Sequence, residues 1–229
     1  SETFAWQTSW GVSWRLIGGM IMTHGDDKGL VLPPKIAPIQ VVIIPIYYSD
    51  DEKGNVIQKA NQIKDSLSKI NLRVHLDDRE QLTPGFKFND WEMKGIPIRI
   101  EIGPKDIAKN QVVLARRHNQ TKTSIDMDSL TEKIPSELKN IQKEMFDTAK
   151  KILDERVVRV SEYQQFKEEL ENGKMIDCSW CGNQTCEDKI KEETSADLRV
   201  IPFDNTEKSE TCIYCKNSGT TNVLFARGY

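Results

Sequence analysis

The stretch from Asp77 to Asp106 constrains the fold of this chain more than any other, because a turn, a helix and a strand follow one another in it without a spare residue. Thr83-Pro84-Gly85 is typical of a turn, since proline fixes φ and glycine tolerates the backbone that follows. Isoleucines at every second position from Ile96 to Ile102 predict a strand with one buried face. The stretch therefore indicates an α/β domain.

The helix predicted between the turn and the strand, Phe86–Lys94, has two faces. Phe88 and Trp91 lie three residues apart, so that they share one face of a helix. The charged residues fall on the other face: Lys87, Asp90 and Lys94.

Charged residues are expected to converge on one rim of the domain. Arg99 and Glu101 form the polar face of the predicted strand, and further charges lie at its two ends: Glu92, Lys105 and Asp106. A solvated, salt-bridged sheet edge would have the same sequence. Alternatively, a rim of mixed charge suits unstacked RNA bases, because a carboxylate accepts from guanine N1–H and N2–H while Arg or Lys donates to O6 or N7.

Composition limits the kinds of function that the chain can have. Its 229 residues are 38% apolar and 29% charged, as in a soluble protein. A protein that held nucleic acid mainly through phosphates should be basic, whereas this chain has a net charge of −3, so any RNA binding must be local and shape-dependent. No run approaches the roughly 20 apolar residues of a membrane span, and no signal peptide opens the chain. We expect a cytoplasmic protein.

Other segments complete a pattern of alternating strands and helices, which predicts a mixed α/β sheet. Gln40–Tyr47 is a continuous β-branched run, typical of a strand buried on both faces. Leu16–Met22 is apolar enough to predict a buried helix, with Arg15 at its start facing inward. The remaining predicted elements are strands at Leu72–Leu76 and Gln111–Ala115 and helices at Val56–Ile70 and Ser136–Glu155.

Two parts of the chain resemble one known family. Thr83–Asp106, TPGFKFNDWEMKGIPIRIEIGPKD, looks like the anticodon-binding domain of prolyl-tRNA synthetases of the archaeal and eukaryotic type. Thr8–Arg15 and His24–Pro34 resemble the end of the catalytic domain of that class II family, and the resemblance extends to Tyr229. It implies three parts: the end of a class II catalytic domain in residues 1–35, a mixed five-stranded anticodon-binding domain in 36–155, and a small α+β zinc-binding C-terminal domain in 156–229.

The resemblance also implies roles for residues near the N-terminus. The arginine of the family that corresponds to Arg15 binds the ATP phosphates, where its planar fork suits phosphate oxygens; a structural salt bridge is the alternative. Ser13 would then touch the nucleotide. The pocket for proline and adenine would be lined by Ser9, Trp10 and Gly11. A metal site at His24-Gly25-Asp26-Asp27 is not expected, because the glycines make a turn in which the ligands would crowd one another.

By the same resemblance, five residues would read the anticodon: Glu92, Arg99, Lys105, Asp106 and Lys122. Lys122 follows a predicted loop, Arg116–Thr123. His118 in this loop is interpreted as a surface histidine, since no nucleophile or base stands near it in sequence.

All five cysteines lie between Cys178 and Cys215, a pattern typical of a structural four-thiolate zinc site in a protein expected to be cytoplasmic. Spacing alone leaves the first pair open, because Cys178-x₂-Cys181 looks like the commoner knuckle. The family pattern selects Cys181, Cys186, Cys212 and Cys215 as zinc ligands, with Cys178 a small buried residue or a spare thiol.

The resemblance implies that the full protein is an aminoacyl-tRNA synthetase, a homodimer that activates L-proline with ATP and Mg²⁺ and transfers it to tRNA(Pro). The first residue is Ser1, so we interpret the chain as the C-terminal part of a longer protein that is inactive by itself. Its apolar tail, Asn222–Tyr229, would pack on the catalytic domain with Tyr229 near the active site, or else form an edge strand. The competing hypothesis is a non-catalytic tRNA anticodon-binding module with a structural zinc.

Overall fold

The computed structural model describes residues 3–5, 7–203 and 211–228. The chain divides into two units, Ser1–Ala149 and Lys150–Tyr229, and the finer division at residues 35 and 155 stays a prediction. None of the described helices is both long enough and apolar enough to cross a membrane. The elements in chain order are α1 (Arg15–His24), β1 (Val41–Pro45), α2 (Asp50–Lys69), β2 (Val74–Leu76), α3 (Pro84–Met93), β3 (Ile98–Ile102), α4 (Pro104–Ala108), β4 (Gln111–Arg116), β5 (Lys122–Asp126), α5 (Leu130–Arg156), β6 (Val157–Arg159), α6 (Tyr163–Glu171), β7 (Met175–Trp180), α7 (Gln184–Thr194), β8 (Ala196–Val200) and β9 (Thr221–Arg227).

The first unit contains a five-stranded sheet in the order β2-β1-β3-β4-β5. β1 runs parallel to β2 and β3, whereas β4 and β5 are antiparallel to their neighbours, which confirms the predicted mixed sheet. The residue pattern had not predicted β5, since Ile125 is the only buried residue of that strand.

Both faces of β1 are covered, as its continuous apolar sequence predicted. Val41 and Ile43 pack in a core with the apolar residues of α2 and α5, while Val42 and Ile44 pack with Trp91 of α3 on the opposite face. β3 contributes Ile98, Ile100 and Ile102 to the first of these cores. Helices therefore lie on both sides of the sheet, and α3 alone among the described helices contributes to the smaller core.

α1 corrects one prediction, because none of its residues is buried. Leu16 is 64% exposed and Met22 is 69% exposed, although the segment is as apolar as a core helix. None of its residues belongs to a hydrophobic core of the described part of the chain. Arg15 is exposed as well, and none of the ion pairs among the described residues includes it.

The second unit contains a four-stranded sheet in the order β6-β7-β9-β8. Its core includes Phe166 of α6, Ile190 of α7 and Phe225 of β9. β9 pairs with both β7 and β8, so that the tail forms an inner strand and the edge strand offered as the alternative is wrong. The predicted docking of Tyr229 lies outside the described residues.

Candidate functional site

The helix that carries the candidate site, α3, is fixed at both ends by local sequence. The Thr83 hydroxyl accepts a hydrogen bond from the backbone N–H of Phe86 at 3.3 Å, and Pro84 occupies the first turn, where its missing N–H does no harm. The chain leaves the helix through Gly95, whose φ of +72° favours glycine. A Cβ at Gly95 would also lie 2.5 Å from the carbonyl oxygen of Leu30, so this exit has no room for a side chain.

A buried carboxylate, Asp77, anchors α3 to the sheet. It is fully buried and accepts hydrogen bonds from Trp91 Nε1 at 2.7 Å and from the guanidinium of Arg79 at 2.6 and 2.8 Å. Burial by itself raises the pKa of Asp77, but the hydrogen bonds from Arg79 and Trp91 outweigh burial and hold the pKa well below its usual range. No sequence pattern predicted this cluster, because the loop that holds Asp77 and Arg79 meets α3 only in the folded chain.

Lys87 belongs to the same cluster as Trp91, although it was predicted to lie on another face of the helix than Phe88 and Trp91. Lys87 is only 3% exposed, and its ammonium donates to the carbonyl oxygen of Asp77 at 3.1 Å and lies 3.8 Å from the carboxylate. Burial lowers the pKa of Lys87. A charge partner inside the domain explains why this lysine faces inward.

Beside α3, two cations share one carboxylate on the sheet. Arg99 donates to Glu101 Oε1 through Nε at 3.0 Å and Nη2 at 2.8 Å, and Lys122 Nζ lies 2.8 Å from the same oxygen. Glu101 is only 7% exposed, whereas the Lys122 side chain is half exposed. The arrangement holds the two cations side by side with donors left over.

An aromatic ring lies under these cations. The guanidinium carbon of Arg99 is 4.4 Å from the centroid of the Phe88 ring, and Lys122 Nζ is 5.3 Å from it. Cation–π contacts of this kind orient both side chains. Phe88 thus combines a flat apolar surface with two flanking donors.

A cavity of about 160 Å³ opens between this cluster and the end of α3. Glu92 faces it, with its carboxylate 3.1 Å from Lys28 Nζ. The structure therefore brings together three of the five predicted anticodon residues, Glu92, Arg99 and Lys122. The cavity is lined by Lys28, Val42, Trp91, Glu92, Ile96, Arg99, Ala115, Arg116, Arg117, Gln120 and Lys122.

The other two predicted residues, Lys105 and Asp106, lie on α4 beyond the C-terminal end of β3 and do not line this cavity. Asp106 Oδ2 accepts a hydrogen bond from the backbone N–H of Gly103 at 2.9 Å and so caps its own helix. The structure therefore does not bring all five predicted anticodon residues to this one cavity.

Arg117 is a residue that the sequence reasoning missed. It is 5% exposed, donates to the Glu92 carbonyl oxygen at 2.8 Å and forms a two-pronged ion pair with Asp26 at 2.8 and 2.5 Å. The hydrogen bond from Arg117 lowers the pKa of Asp26 to about 2. The Asp26 carboxylate therefore pairs with a buried cation.

His118 is less exposed than predicted for a surface histidine. Its side chain is 9% exposed, and Nε2 lies 2.6 Å from Glu144 Oε2. Since Glu144 lies on α5, this contact joins the β4–β5 loop to that helix.

The residues predicted to bind ATP and proline lie in the segment that leads into α1. Ser9, Trp10, Gly11, Ser13 and Arg15 are all exposed, and Trp10 is 93% exposed. None of them lines the cavity at the end of α3.

In the second unit, four cysteine thiols form a cluster that could hold a metal ion. The Sγ atoms of Cys181, Cys186, Cys212 and Cys215 lie within 4.8 Å of one another. Cys178 lies on β7, fully buried in the apolar core, and is not part of this cluster.

Two similar turns present the outer thiols of the cluster. Cys181 is followed by Gly182 at φ +78° and Cys215 by Lys216 at φ +61°. Each turn directs the N–H of the residue two positions on at the sulfur, and the bond from Asn217 lowers the pKa of Cys215 to about 7. Burial raises the pKa of Cys186 to about 12 in the metal-free cluster. Backbone N–H groups that stabilise thiolate charge favour metal binding.

Comparisons with known proteins agree with both units. A family model described as an anticodon binding domain matches residues 40–137, and a model described as the C-terminal part of prolyl-tRNA synthetase matches residues 163–229. The chain is 51% identical over 228 residues to the proline–tRNA ligase of Cenarchaeum symbiosum, with 100% of this chain and 48% of that protein covered. It is 47% identical to the proline–tRNA ligase of Natranaerobius thermophilus, of which it covers 47%.

A solved structure agrees as well. The crystal structure of prolyl-tRNA synthetase from Cryptosporidium parvum, complexed with L-proline and AMP, superposes with a TM-score of 0.88 at 39% sequence identity. The match covers 94% of this chain and 46% of that one. The chain thus spans about half the length of the relatives it matches. On these matches the chain belongs to the prolyl-tRNA synthetase family, of which it carries the anticodon-binding domain and the C-terminal domain.

Proposed function

We propose that the whole protein is a proline–tRNA ligase, which activates L-proline with ATP and Mg²⁺ and transfers it to tRNA(Pro), and that this chain supplies anticodon recognition. The relatives that match nearly the whole chain carry that name. The Cryptosporidium protein was solved with L-proline and AMP, and also with halofuginone and AMPPNP. Free thiols throughout favour a reducing compartment such as the cytoplasm.

The observation that carries the proposal is the cavity at the end of α3. In a chain of net charge −3, it is lined by the carboxylate of Glu92, the guanidinium of Arg99 and the ammonium of Lys122, and the two cations lie over the ring of Phe88. Proline anticodons end in two guanines, whose edges offer both donors and acceptors. Glu92 would accept from guanine N–H groups, Arg99 and Lys122 would donate to O6 or N7, and Phe88 would stack on a base.

Lys105 and Asp106 are proposed as outer anticodon contacts. They lie on α4, and Asp106 uses one carboxylate oxygen as a helix cap and keeps the other. A carboxylate offers about four acceptor positions in total, so the cap does not prevent a contact with RNA.

The test is binding of this chain to a proline tRNA transcript at two salt concentrations, beside the same transcript with its two anticodon guanines replaced by adenines. We expect the replacement to weaken binding by about 2 kcal/mol or more, on the order of two base contacts. Equal binding of both transcripts, or no binding of either, would show that the cavity is a solvated surface with no role in reading the anticodon.

For the catalytic half of the reaction we propose that Arg15 and Ser13 contact ATP, and that Ser9, Trp10 and Gly11 line the proline and adenine pocket, in the homodimeric whole protein. All five are exposed in this chain. We therefore expect no ATP–pyrophosphate exchange from the chain alone. Measurable exchange would contradict this, while the alternative of a non-catalytic tRNA-binding module predicts none from any longer form of the protein.

We also propose a structural zinc ion at Cys181, Cys186, Cys212 and Cys215. A tetrahedral site with Zn–S bonds of about 2.3 Å has sulfur–sulfur edges of about 3.8 Å. Two of the Sγ···Sγ distances, from Cys181 to Cys186 and to Cys215, are 3.6 and 3.8 Å. Four thiolates leave no position for water, so the role is structural.

Native mass spectrometry should find one zinc per chain, lost in Cys186→Ser and kept in Cys178→Ser. Both cysteines are buried, so the two variants are matched for the loss of a core thiol. Metal loss in the Cys178 variant alone would overturn the ligand set.

A further inference from the structure

A turn before the first sheet reaches the cavity. Asp26 and Gly29 exchange two backbone hydrogen bonds, at 3.1 and 3.0 Å, and the next residue, Leu30, donates to the carbonyl oxygen of Met93 at 2.9 Å. Gly29 has φ +129°, and a Cβ there would lie 2.5 Å from that same Met93 oxygen. The turn is thus held directly against the C-terminal end of α3.

Side chains fix the turn further. Asp26 Oδ1 accepts from the backbone N–H of Lys28 at 2.9 Å, and the Asp26 carboxylate also binds the guanidinium of Arg117. Because Arg117 donates in addition to the Glu92 carbonyl oxygen, one buried cation joins the turn to the residue whose carboxylate faces the cavity.

The side chain of Lys28 connects the turn to Glu92 and Gln120. Its ammonium lies 3.1 Å from Glu92 Oε1 and donates to Gln120 Oε1 at 2.8 Å. An ammonium has three N–H donors, so one is left, and the side chain is 52% exposed at the cavity. A carboxylate has about four acceptor positions, so Glu92 can keep Lys28 while it accepts from a base.

We propose that Lys28 is a further RNA-binding residue of this cavity, which positions the Glu92 carboxylate and donates its third N–H to an acceptor atom of the guanine that Glu92 reads. The inference rests on the proposed anticodon function. It extends the site beyond the five-stranded domain to the segment that precedes it, since Lys28 lies between α1 and β1.

The chain offers a matched control for this lysine. Lys94 pairs with Asp90 at 3.0 Å and its side chain is 46% exposed, close to the values for Lys28, yet Lys94 does not line the cavity. Lys28→Met and Lys94→Met each remove one positive charge and one half-exposed ion pair from neighbouring parts of the surface. The two variants differ because Lys28 pairs with Glu92, whereas Lys94 pairs with Asp90.

The experiment measures the dissociation constants of the full chain, of both methionine variants and of Lys28→Arg for the proline tRNA transcript and for its adenine-replaced form. We expect Lys28→Met to weaken binding of the guanine transcript by about tenfold and of the replaced transcript by less than about twofold, as for loss of one base contact. Lys94→Met should leave the ratio of the two constants at its wild-type value. Lys28→Arg, which keeps a cation beside Glu92, should retain most of that ratio.

Three results would overturn the assignment. An unchanged ratio in Lys28→Met would remove Lys28 from base reading, and an equal loss on both transcripts would place its ammonium on phosphate. If the wild-type chain itself does not distinguish the transcripts, the proposed function fails and this inference with it, which the wild-type arm shows before any variant is compared. Urea unfolding should give the same midpoint for Lys28→Met and Lys94→Met. Equal midpoints would show that a loss of RNA binding does not come from a loss of stability.

Discussion

Replacing Asp77 by alanine tests whether one buried carboxylate holds α3 on the sheet. The variant removes the acceptor of the Trp91 indole N–H, 2.7 Å away, and leaves the Lys87 ammonium without its anionic neighbour. Arg79 loses a partner as well, but a third of its side chain is exposed and it keeps Asp90 at 2.8 Å, so water and Asp90 compensate it. The destabilisation should therefore come from Trp91 and Lys87.

The magnitude follows from these two groups. An unsatisfied buried N–H costs about 1–3 kcal/mol, and breaking a buried ion pair by removing one partner costs about 3–5 kcal/mol. The ion-pair figure lies at its lower end here, because Lys87 keeps its hydrogen bond to the Asp77 carbonyl oxygen. We expect a total loss of about 4 kcal/mol, which corresponds to a fall of about 10 °C in the midpoint of thermal unfolding for a unit of this size.

The assay has to report the first unit alone, since the chain has two. Native-state hydrogen exchange of the amides of residues 41–44 in β1, an inner strand of the sheet, does so. Asp78→Ala is the matched control, because Asp78 is exposed and its loss should change stability by no more than about 0.5 kcal/mol. Adding Lys87→Met to Asp77→Ala should restore about 2 kcal/mol by removing the unpaired charge. Equal stability of the Asp77 and Asp78 variants would refute the reasoning.

Two further variants test the segment before the sheet. Because Arg117 lowers the pKa of Asp26 from 3.8 to about 2, the pair stabilises the native state fully above about pH 3.8, and this stability is lost as the pH falls toward 2. The Asp26 side chain is 38% exposed, so we expect a loss of about 1 kcal/mol, absent in Asp26→Asn, when urea unfolding is compared across that window. Gly29→Ala should destabilise the native state by at least about 2 kcal/mol, since φ is +129° and a backbone oxygen lies 2.5 Å from the new Cβ. Gly54 lies in open space on α2, so Gly54→Ala should stabilise the native state by about 0.5–1 kcal/mol. Thermal unfolding measures both effects. Equal midpoints for the two alanine variants would contradict this account.

The sequence predicts the fold correctly where apolar residues alone determine which side chains are buried. Val41–Pro45 is wholly apolar and is buried on both faces, and the alternating isoleucines of β3 do fill the core. β5 was missed because a strand with a single buried residue has no alternating pattern to detect. α1 was misjudged for the opposite reason, since an apolar pattern shows that a surface favours burial and not that the described chain supplies a partner.

The candidate site is predictable only in part, because charge patterns do not show pairing over distance. Lys87 was assigned, as a charged residue, to another helix face than Phe88 and Trp91, and only the position of Asp77 in space shows that it faces inward. Arg117 and Asp26 are separated by most of the first unit in sequence, and no local signal connects them. Glu92, Arg99 and Lys122 were identified by resemblance to a family, whereas the ring of Phe88 beneath two cations emerged from the fold.

Under the proposed function, the pairing of charges around the cavity would let a chain of net charge −3 select RNA by its bases. Every cation that lines the cavity already has a carboxylate partner in the same unit, and five cations against four carboxylates leave one positive charge in excess. Counterion release on binding a single strand scales with the number of phosphates neutralised, so one excess charge gives a weak dependence on salt and little affinity for an arbitrary strand. In the proposed complex a guanine would gain from Glu92 and Arg99, because both keep unused hydrogen-bonding positions in their internal pairs, whereas an adenine would leave those positions unfilled. Selectivity would then depend on which bases the RNA presents at the cavity, and the ion pairs that neutralise the cavity would keep phosphate binding from masking that selectivity.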